Sequence, residues 1–186
     1  MTDWIAVAKA MCPKAPKGNI ETAVPLIEGA LRAVAMDDVE IMLVAIATVH
    51  VETGVFLPIS EYQSQYNTAP GGKPFAKYDG RRDLGNEIEG DGARYKGRGY
   101  VQLTGRANYR DIGKRIGADL EAHPELANEF DIAARILAAF MKREEKRLRD
   151  AIDNGDLKAA RKVVNGGSHG LDEFVAAYRR GEDALA

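Results

Sequence analysis

Three uncharged hydrogen-bonding side chains, Gln102, Thr104 and Asn108, follow a stretch in which Gly90, Gly92, Gly97 and Gly99 fall within ten residues. Glycines at that density oblige the backbone to turn sharply or to approach another group closely. Neutral amides and hydroxyls beside such a turn suit a neutral, hydroxyl-rich ligand such as a sugar. The same spacing also fits a surface hairpin whose polar residues face water. Glu52 offers different chemistry: it ends an apolar stretch, Val39 to Thr53, directly before Gly54. A carboxyl group on a buried helix that opens onto a loop is desolvated, and desolvation favours the neutral form that a general acid needs. An exposed or ion-paired helix-terminal glutamate fits the pattern too. Cleavage of a glycosidic bond usually takes two carboxyl groups, and with 28 acidic residues composition selects no second one. Glu61, Asp79, Glu87, Glu89 and Asp91 all lie between Glu52 and the glycine-rich stretch or within it.

These residues need elements to hold them. Asp3 to Met11 reads as a short helix stopped by Pro13 and Pro16. Asn19 is placed to cap a second helix through about Ala35, with Ala23, Leu26, Ile27, Ala30, Leu31 and Val34 on one face. Asp37 or Asp38 caps a third to about Thr53, apolar almost all round and therefore central and buried. From Gly54 to Gly99 there is no sustained helical period, and loops of that length are usually functional. Short strands and turns are expected there, followed by a strand over Tyr100 to Thr104. Further helices are read at Arg106 to Ile116, Asp131 to Ile152, Asp156 to Val164 and Leu171 to Ala184, the last two separated by an NGGSHG turn. The expected architecture is mainly α: a helical bundle around a central buried helix, with a small irregular β-hairpin lobe lining a substrate cleft. One domain is expected over 1–186, with N-terminal helices over about 1–36 and a core over about 38–184.

The chain's 186 residues, 45% hydrophobic and 29% charged, are ordinary for a globular protein. A net charge of -2 gives no hint of nucleic-acid binding. The single cysteine, Cys12, rules out an internal disulfide framework and reads as a lone buried thiol. The longest apolar run, Ile41 to Val49, is far short of the roughly 20 residues that span a bilayer, so no membrane insertion is expected. The first residues lack the pattern of a secretory leader. The expectation is a product made in the cytoplasm, which would need another factor for release. His50, His123 and His169 lack zinc-site spacing, GxSxG is absent, and the glycines form neither GxGxxG nor a GK[ST] loop. No metal or cofactor is expected.

Residues Gly90 to Tyr109, GDGARYKGRGYVQLTGRANY, carry a more specific signal. The segment resembles the signature of glycoside hydrolase family 19 in its phage and bacterial lysin form, GDG-x-x-Y-x-GRG-x-x-QLTGR-x-NY, with every fixed position present. The likeness runs from about residue 40 to about residue 180, and one cysteine sets the chain with the cysteine-poor microbial branch. The resemblance implies a lysozyme-like fold and inverting hydrolysis of β-1,4 bonds between N-acetylated amino sugars. Peptidoglycan is the substrate expected, by a monomeric endolysin (a muramidase) whose export after phage infection would be of the holin type. Chitin is the alternative, and a non-catalytic saccharide-binding or structural domain derived from a lysin is the second.

Residue by residue, the resemblance implies that Glu52, in Val51-Glu52-Thr53-Gly54, is the general acid. Glu61 then stands at the spacing of the base, with Asp79 in Tyr78-Asp79-Gly80-Arg81 as its rival. Thr104 would help to hold the attacking water. Gln102, Asn108 and Asn165 match substrate-contacting amides, and Tyr62 beside Glu61 joins them. Inversion implies carboxyl groups about 6.5–9.5 Å apart. The chain departs from the family in having Val51 where many members carry His, with His50 one place earlier. It also has Phe174 where lysins often carry Arg, a loss for which Arg179 or Arg180 would compensate. Arg98 is expected to tie its loop to a carboxylate.

Overall fold

The computed structural model describes residues 2–165 and 169–186; the side chain of Asn165 lies outside the described residues. The chain divides into two compact units, Met1–Leu57 with Leu137–Ala186, and Pro58–Ile136.

The first unit is helical. Asp3 accepts a hydrogen bond from Ala6 N at 3.0 Å and so caps α1 (Trp4–Met11). Helix α2 (Lys17–Ala33) begins after Pro16, not at Asn19. The Asn19 amide instead donates to Val55 O at 2.8 Å, a tertiary contact that no local capping rule registers. Helix α3 (Val39–Thr53) is buried without interruption from Ile41 to His50, as its all-round apolar sequence requires. Gly54 ends it in the left-handed conformation (φ 67°), its N–H returning to His50 O at 2.8 Å. Helices α1, α2, α8 (Leu157–Asn165) and α9 (Leu171–Leu185) all pack on α3. The expectation of a bundle around a central buried helix therefore holds here. Cys12 is buried in this core, and burial pushes its thiol up to about 12.

The continuous helix expected from Asp131 to Ile152 is two helices, α6 (Phe130–Arg143) and α7 (Glu145–Asp153). The break falls at Glu144 (φ -99°, ψ 12°), in a charged run with neither glycine nor proline to mark it.

In the second unit a two-stranded antiparallel sheet pairs β1 (Ile59–Ser60) with β2 (Arg98–Gly99), in register Ile59 to Gly99 and Ser60 to Arg98. The strand expected over Tyr100 to Thr104 is instead a tight reversal. Arg98 and Leu103 exchange both backbone hydrogen bonds (3.2 and 2.9 Å), so residues 99–102 form the turn. Gly99 (φ 77°) and Gln102 (φ 51°) supply the left-handed steps. Between the strands run single turns of 3-10 helix at Ala76–Tyr78 and Arg82–Leu84 and the one-turn helix α4 (Asp91–Arg94). Helix α5 (Arg106–Ile116) begins and ends where its sequence pattern does. Asp91, 2% exposed, pairs with Arg106 at 2.6 Å and accepts from Glu87 N and Ile88 N. Burial alone would push its carboxyl group up, but Arg106 and the two amides hold it below the usual carboxylate range. Arg98 is buried and donates to Arg94 O, Lys96 O and the Tyr109 hydroxyl, not to the expected carboxylate.

Candidate functional site

Glu61 follows β1 directly, and its N–H continues the strand pairing by donating to Gly97 O at 2.7 Å. Three donors meet its carboxylate. The Tyr78 hydroxyl (2.8 Å) and Asn67 Nδ2 (2.9 Å) reach Oε1, and Gly97 N (3.2 Å) reaches Oε2. An ionised carboxylate, which only accepts, matches such a shell.

Gly97 is also where the other polar residues converge. A Cβ built on it would stand 2.8 Å from Gln102 Oε1, 3.2 Å from Thr104 Oγ1 and 3.3 Å from Glu61 Cβ. Only a residue without a side chain lets these three groups close around the backbone. The hairpin turn aims them. Gln102 gives both amide hydrogens to Ile59 O and Gly99 O (3.1 Å each), leaving its oxygen as the free pole. Thr104 donates its hydroxyl hydrogen to Gln102 O at 2.8 Å, so its oxygen is left to accept. Asn108, one turn into α5, donates to Thr104 O at 2.8 Å.

The structure thus brings Glu61, Gln102 and Thr104 together, with Asn108 joined to them through the Thr104 carbonyl. Tyr62 is 78% exposed beside Glu61. Asp79 is engaged elsewhere: its Oδ1 accepts from Gly90 N (3.1 Å) and Gly92 N (2.7 Å), which ties down the start of α4. A concavity of about 640 Å³ in the same unit is lined by Asp91, Arg94, Tyr95, Arg106 and Glu121 among others, and holds none of the Glu61 group. In its wall Arg106 is paired with Asp91 at 2.6 Å, and Glu121 is paired with Arg110, which lies outside the lining, at 2.7 Å. The Glu61 cluster differs in presenting side-chain acceptors, Gln102 Oε1 and Thr104 Oγ1, beside a carboxylate.

Glu52 lies in the last turn of α3, in the first unit. The turn is fixed by Thr53, whose hydroxyl donates to Val49 O (2.9 Å) and accepts from Phe56 N (3.0 Å). The Glu52 side chain is 13% exposed, so it is screened from water, as expected. It is not, however, a lone desolvated acid: Arg161 Nη2 of α8 donates to Oε1 at 2.6 Å, and the Arg161 side chain is fully buried. The same guanidinium donates to His169 O and lies 5.9 Å from the Phe174 ring centroid. Arg161 is thus the cation beside Phe174. Arg179 and Arg180, expected to compensate there, instead bond Glu182 and Met11 O. His50 faces away from this role, its Nε2 3.1 Å from Glu173 Oε1.

The sequence reading missed Asn67, Tyr78 and Arg161. Arg161 carried a signal, since it falls on the buried stripe Leu157, Ala160 and Val164 of α8. Asn67 and Tyr78 sit in a loop without periodicity, and only the fold assigns them. Among the described residues no group of three or more His, Cys, Asp or Glu side chains could hold a metal ion. No helix of the described residues is long and apolar enough to cross a membrane.

No protein-family model matches the chain. It is 33% identical over 105 residues to a glycosyl hydrolase family 19 domain-containing protein of Haemophilus influenzae. The match takes in 55% of this chain and 48% of the relative, so it spans about half of that relative's length. Among solved structures, chitinase C from Streptomyces griseus superposes with a TM-score of 0.62 at 19% identity, covering 100% of this chain and 78% of the other. A mutant of chitinase C gives 0.66 at 18% identity, with 99% and 78% covered. A bacterial family 19 chitinase described as differing from plant enzymes gives 0.60 at 20%, with 97% and 93% covered. The chain is therefore a sequence relative of a family 19 protein and has the fold of the bacterial family 19 chitinases.

Proposed function

We propose that this chain is a glycosidase that cleaves β-1,4 bonds between N-acetylated amino sugars of bacterial peptidoglycan, by single displacement with inversion. The observation that carries the reading is the closure of Glu61, Gln102 and Thr104 around Gly97. A water molecule bound there would give one hydrogen to Glu61 Oε2 and the other to Thr104 Oγ1, since the threonine hydroxyl can only accept. Its lone pair is then free to attack the anomeric carbon as Glu61 takes the proton. Glu52 is assigned the general-acid role on the resemblance of its Glu-Thr-Gly sequence, with Arg161 fixing its orientation. Asp79 is the weaker base, because its Oδ1 already serves two backbone amides. Tyr62 and Asn108 are assigned to grip of the sugar, and so is Asn165. No cofactor enters the reaction, and in a phage setting release to the wall would be the work of a holin.

Chitin is the second reading, favoured because the solved structures that share the fold are described as chitinases. One experiment separates the two: the protein is incubated with purified peptidoglycan and with a chitin oligomer, and new reducing ends are identified by mass spectrometry. Reducing N-acetylmuramic acid supports the proposal. Products from chitin alone overturn it in favour of the second reading, and activity on neither in the wild type sinks both. Glu52→Gln and Glu61→Gln are each expected to abolish product formation with folding intact.

A further inference from the structure

We propose that Tyr78, backed by Asn67, is a positioning residue that occupies Oε1 of Glu61 and so makes Oε2 the oxygen that takes the proton. This rests on the reading of Glu61 as the base. A carboxylate oxygen offers two lone-pair directions. Both of those on Oε1 are engaged, by the Tyr78 hydroxyl at 2.8 Å and by Asn67 Nδ2 at 2.9 Å. Oε2 accepts from Gly97 N at 3.2 Å and keeps one direction open. That oxygen faces the residue around which Thr104 Oγ1 and Gln102 Oε1 gather.

The two donors are held in different ways. Asn67 is fully buried and saturated. It donates to Glu61 and to Tyr62 O, and it accepts from Ser64 N and the Thr68 hydroxyl, each at 2.9 Å. It cannot follow a carboxylate that moves. Tyr78 is placed through the glycine-rich segment. Its carbonyl accepts from the fully buried Asn86 at 2.9 Å, and the next residue, Asp79, anchors the amides of Gly90 and Gly92. A Cβ at Gly92 would stand 3.0 Å from Tyr78 Cβ and would collide with Phe75 O. Two glycines of the signature therefore serve one carboxylate: Gly97 admits the polar cluster, and Gly92 lets α4 press against the segment that presents Tyr78.

Burial, and then the bond to Glu61, push the Tyr78 phenol up to about 12, so it remains a donor throughout the working range. The other charged or titratable groups facing this pair are Arg81, whose guanidinium is 5.9 Å from the Tyr78 ring centroid, and Tyr109, whose phenol senses the Glu61 charge. Neither changes charge near neutral pH.

The test is Tyr78→Phe, which keeps the ring and removes the donor, assayed on whichever polysaccharide the wild type cleaves. The expected result is a roughly tenfold to hundredfold fall in kcat at little change in KM, the effect of one hydrogen bond to a charged group. The acid limb of the kcat–pH profile should move upward, because the ionised carboxylate has lost a donor. A purely structural role would lower activity at all pH values without moving that limb. Tyr78→Met, which also lacks the donor, is the second variant should Tyr78→Phe not fold. An unmoved limb with wild-type kcat, while Glu61→Gln is inactive, overturns the positioning role alone. Full activity in Glu61→Gln overturns the reading of the base on which it rests.

Discussion

Substituting Gly97 by alanine tests the geometry of the cluster most directly, because it adds one methyl group at the point of closest approach. Gly97 does not occupy the positive-φ region, so an alanine there carries no backbone penalty. Its Cβ would lie 2.8 Å from Gln102 Oε1, about 0.6 Å inside an ordinary contact of 3.4 Å, with Thr104 Oγ1 at 3.2 Å and Glu61 Cβ at 3.3 Å also too near. Gln102 has little room to yield. Its amide is tied to Ile59 O and Gly99 O, and its own backbone already sits at φ 51°. The displacement must reach Glu61 or Thr104, or break one of those amide bonds. Overpacking of this kind costs about 1–3 kcal/mol, or about 2–4 °C in Tm for each kcal/mol in a chain of this size. A shift of a few tenths of an ångström to one ångström between base and water costs on the order of 10²-fold in kcat.

The assay pairs thermal unfolding with initial rates on the cleaved polysaccharide, and Gly29→Ala is the control. Gly29 lies exposed inside α2 with nothing within 4 Å of a built Cβ. Alanine there should stabilise by about 0.5–1 kcal/mol and leave the rate unchanged. Gly97→Ala with an unchanged melting temperature and wild-type kcat/KM would refute the claim that the three groups close on this glycine.

Three other outcomes follow from the same structure. Arg161→Met removes the buried partner of Glu52; losing one half of such a pair costs about 3–5 kcal/mol, so Tm should fall by roughly 10 °C, and an unchanged Tm would show that the pair is not formed. His50 is buried and its Nδ1 has no partner among the described residues. Burial first, and Arg180 next, hold its imidazole below the usual 6.5, against the opposing pull of Glu173. The native state keeps the ring neutral while the unfolded chain takes up a proton, so this stability is present above pH 6.5 and is lost as pH falls from there towards the lowered native value. His50→Asn should therefore narrow the difference in Tm between pH 7.5 and 5.5, and an undiminished difference would rule the residue out as a source. Tyr100 is fully buried with a hydroxyl that has no protein partner among the described residues. Tyr100→Phe should leave chemical-denaturation stability unchanged or raise it by about 1 kcal/mol, and a clear loss would place a bond on that oxygen.

What the residues disclosed before folding follows the range of the forces involved. Helix α3 was legible because an apolar run of that length has one use, and α5 because its glycines and its periodicity agree at both ends. The start of α2 was misread because Asn19, a good cap by type, is drawn to Val55 O, 36 residues away in sequence. The break at Glu144 left no local trace. The hairpin at 98–103 looked like a strand because alternation alone does not register the reversal at Gln102. The side chains of the proposed site that were readable, Glu61, Gln102 and Thr104, sit in or beside conspicuous sequence. Those that govern them, Asn67 and Tyr78, lie in irregular chain, and Arg161 acts on Glu52 across 109 residues of sequence.

That contrast bears on how the two glutamates are put to use. Glu61 is held by neutral donors alone, a phenol, an amide and a backbone N–H. Such a shell fixes the position of the carboxylate without an ion pair, which fits the base role proposed for it. Glu52 is held by a guanidinium that is itself fully buried. On the proposed reading, Glu52 hands its proton to the leaving oxygen from a carboxyl group that Arg161 orients at 2.6 Å. The proposal therefore demands an asymmetry that the kinetics can expose. Replacing Arg161 by lysine, which keeps the charge but lacks the planar fork, should disturb the basic limb of the kcat–pH profile, where the acid must still hold its proton. Replacing Tyr78 should disturb only the acid limb. If both substitutions moved the same limb, the division of labour between the two glutamates would be wrong even with both of them essential.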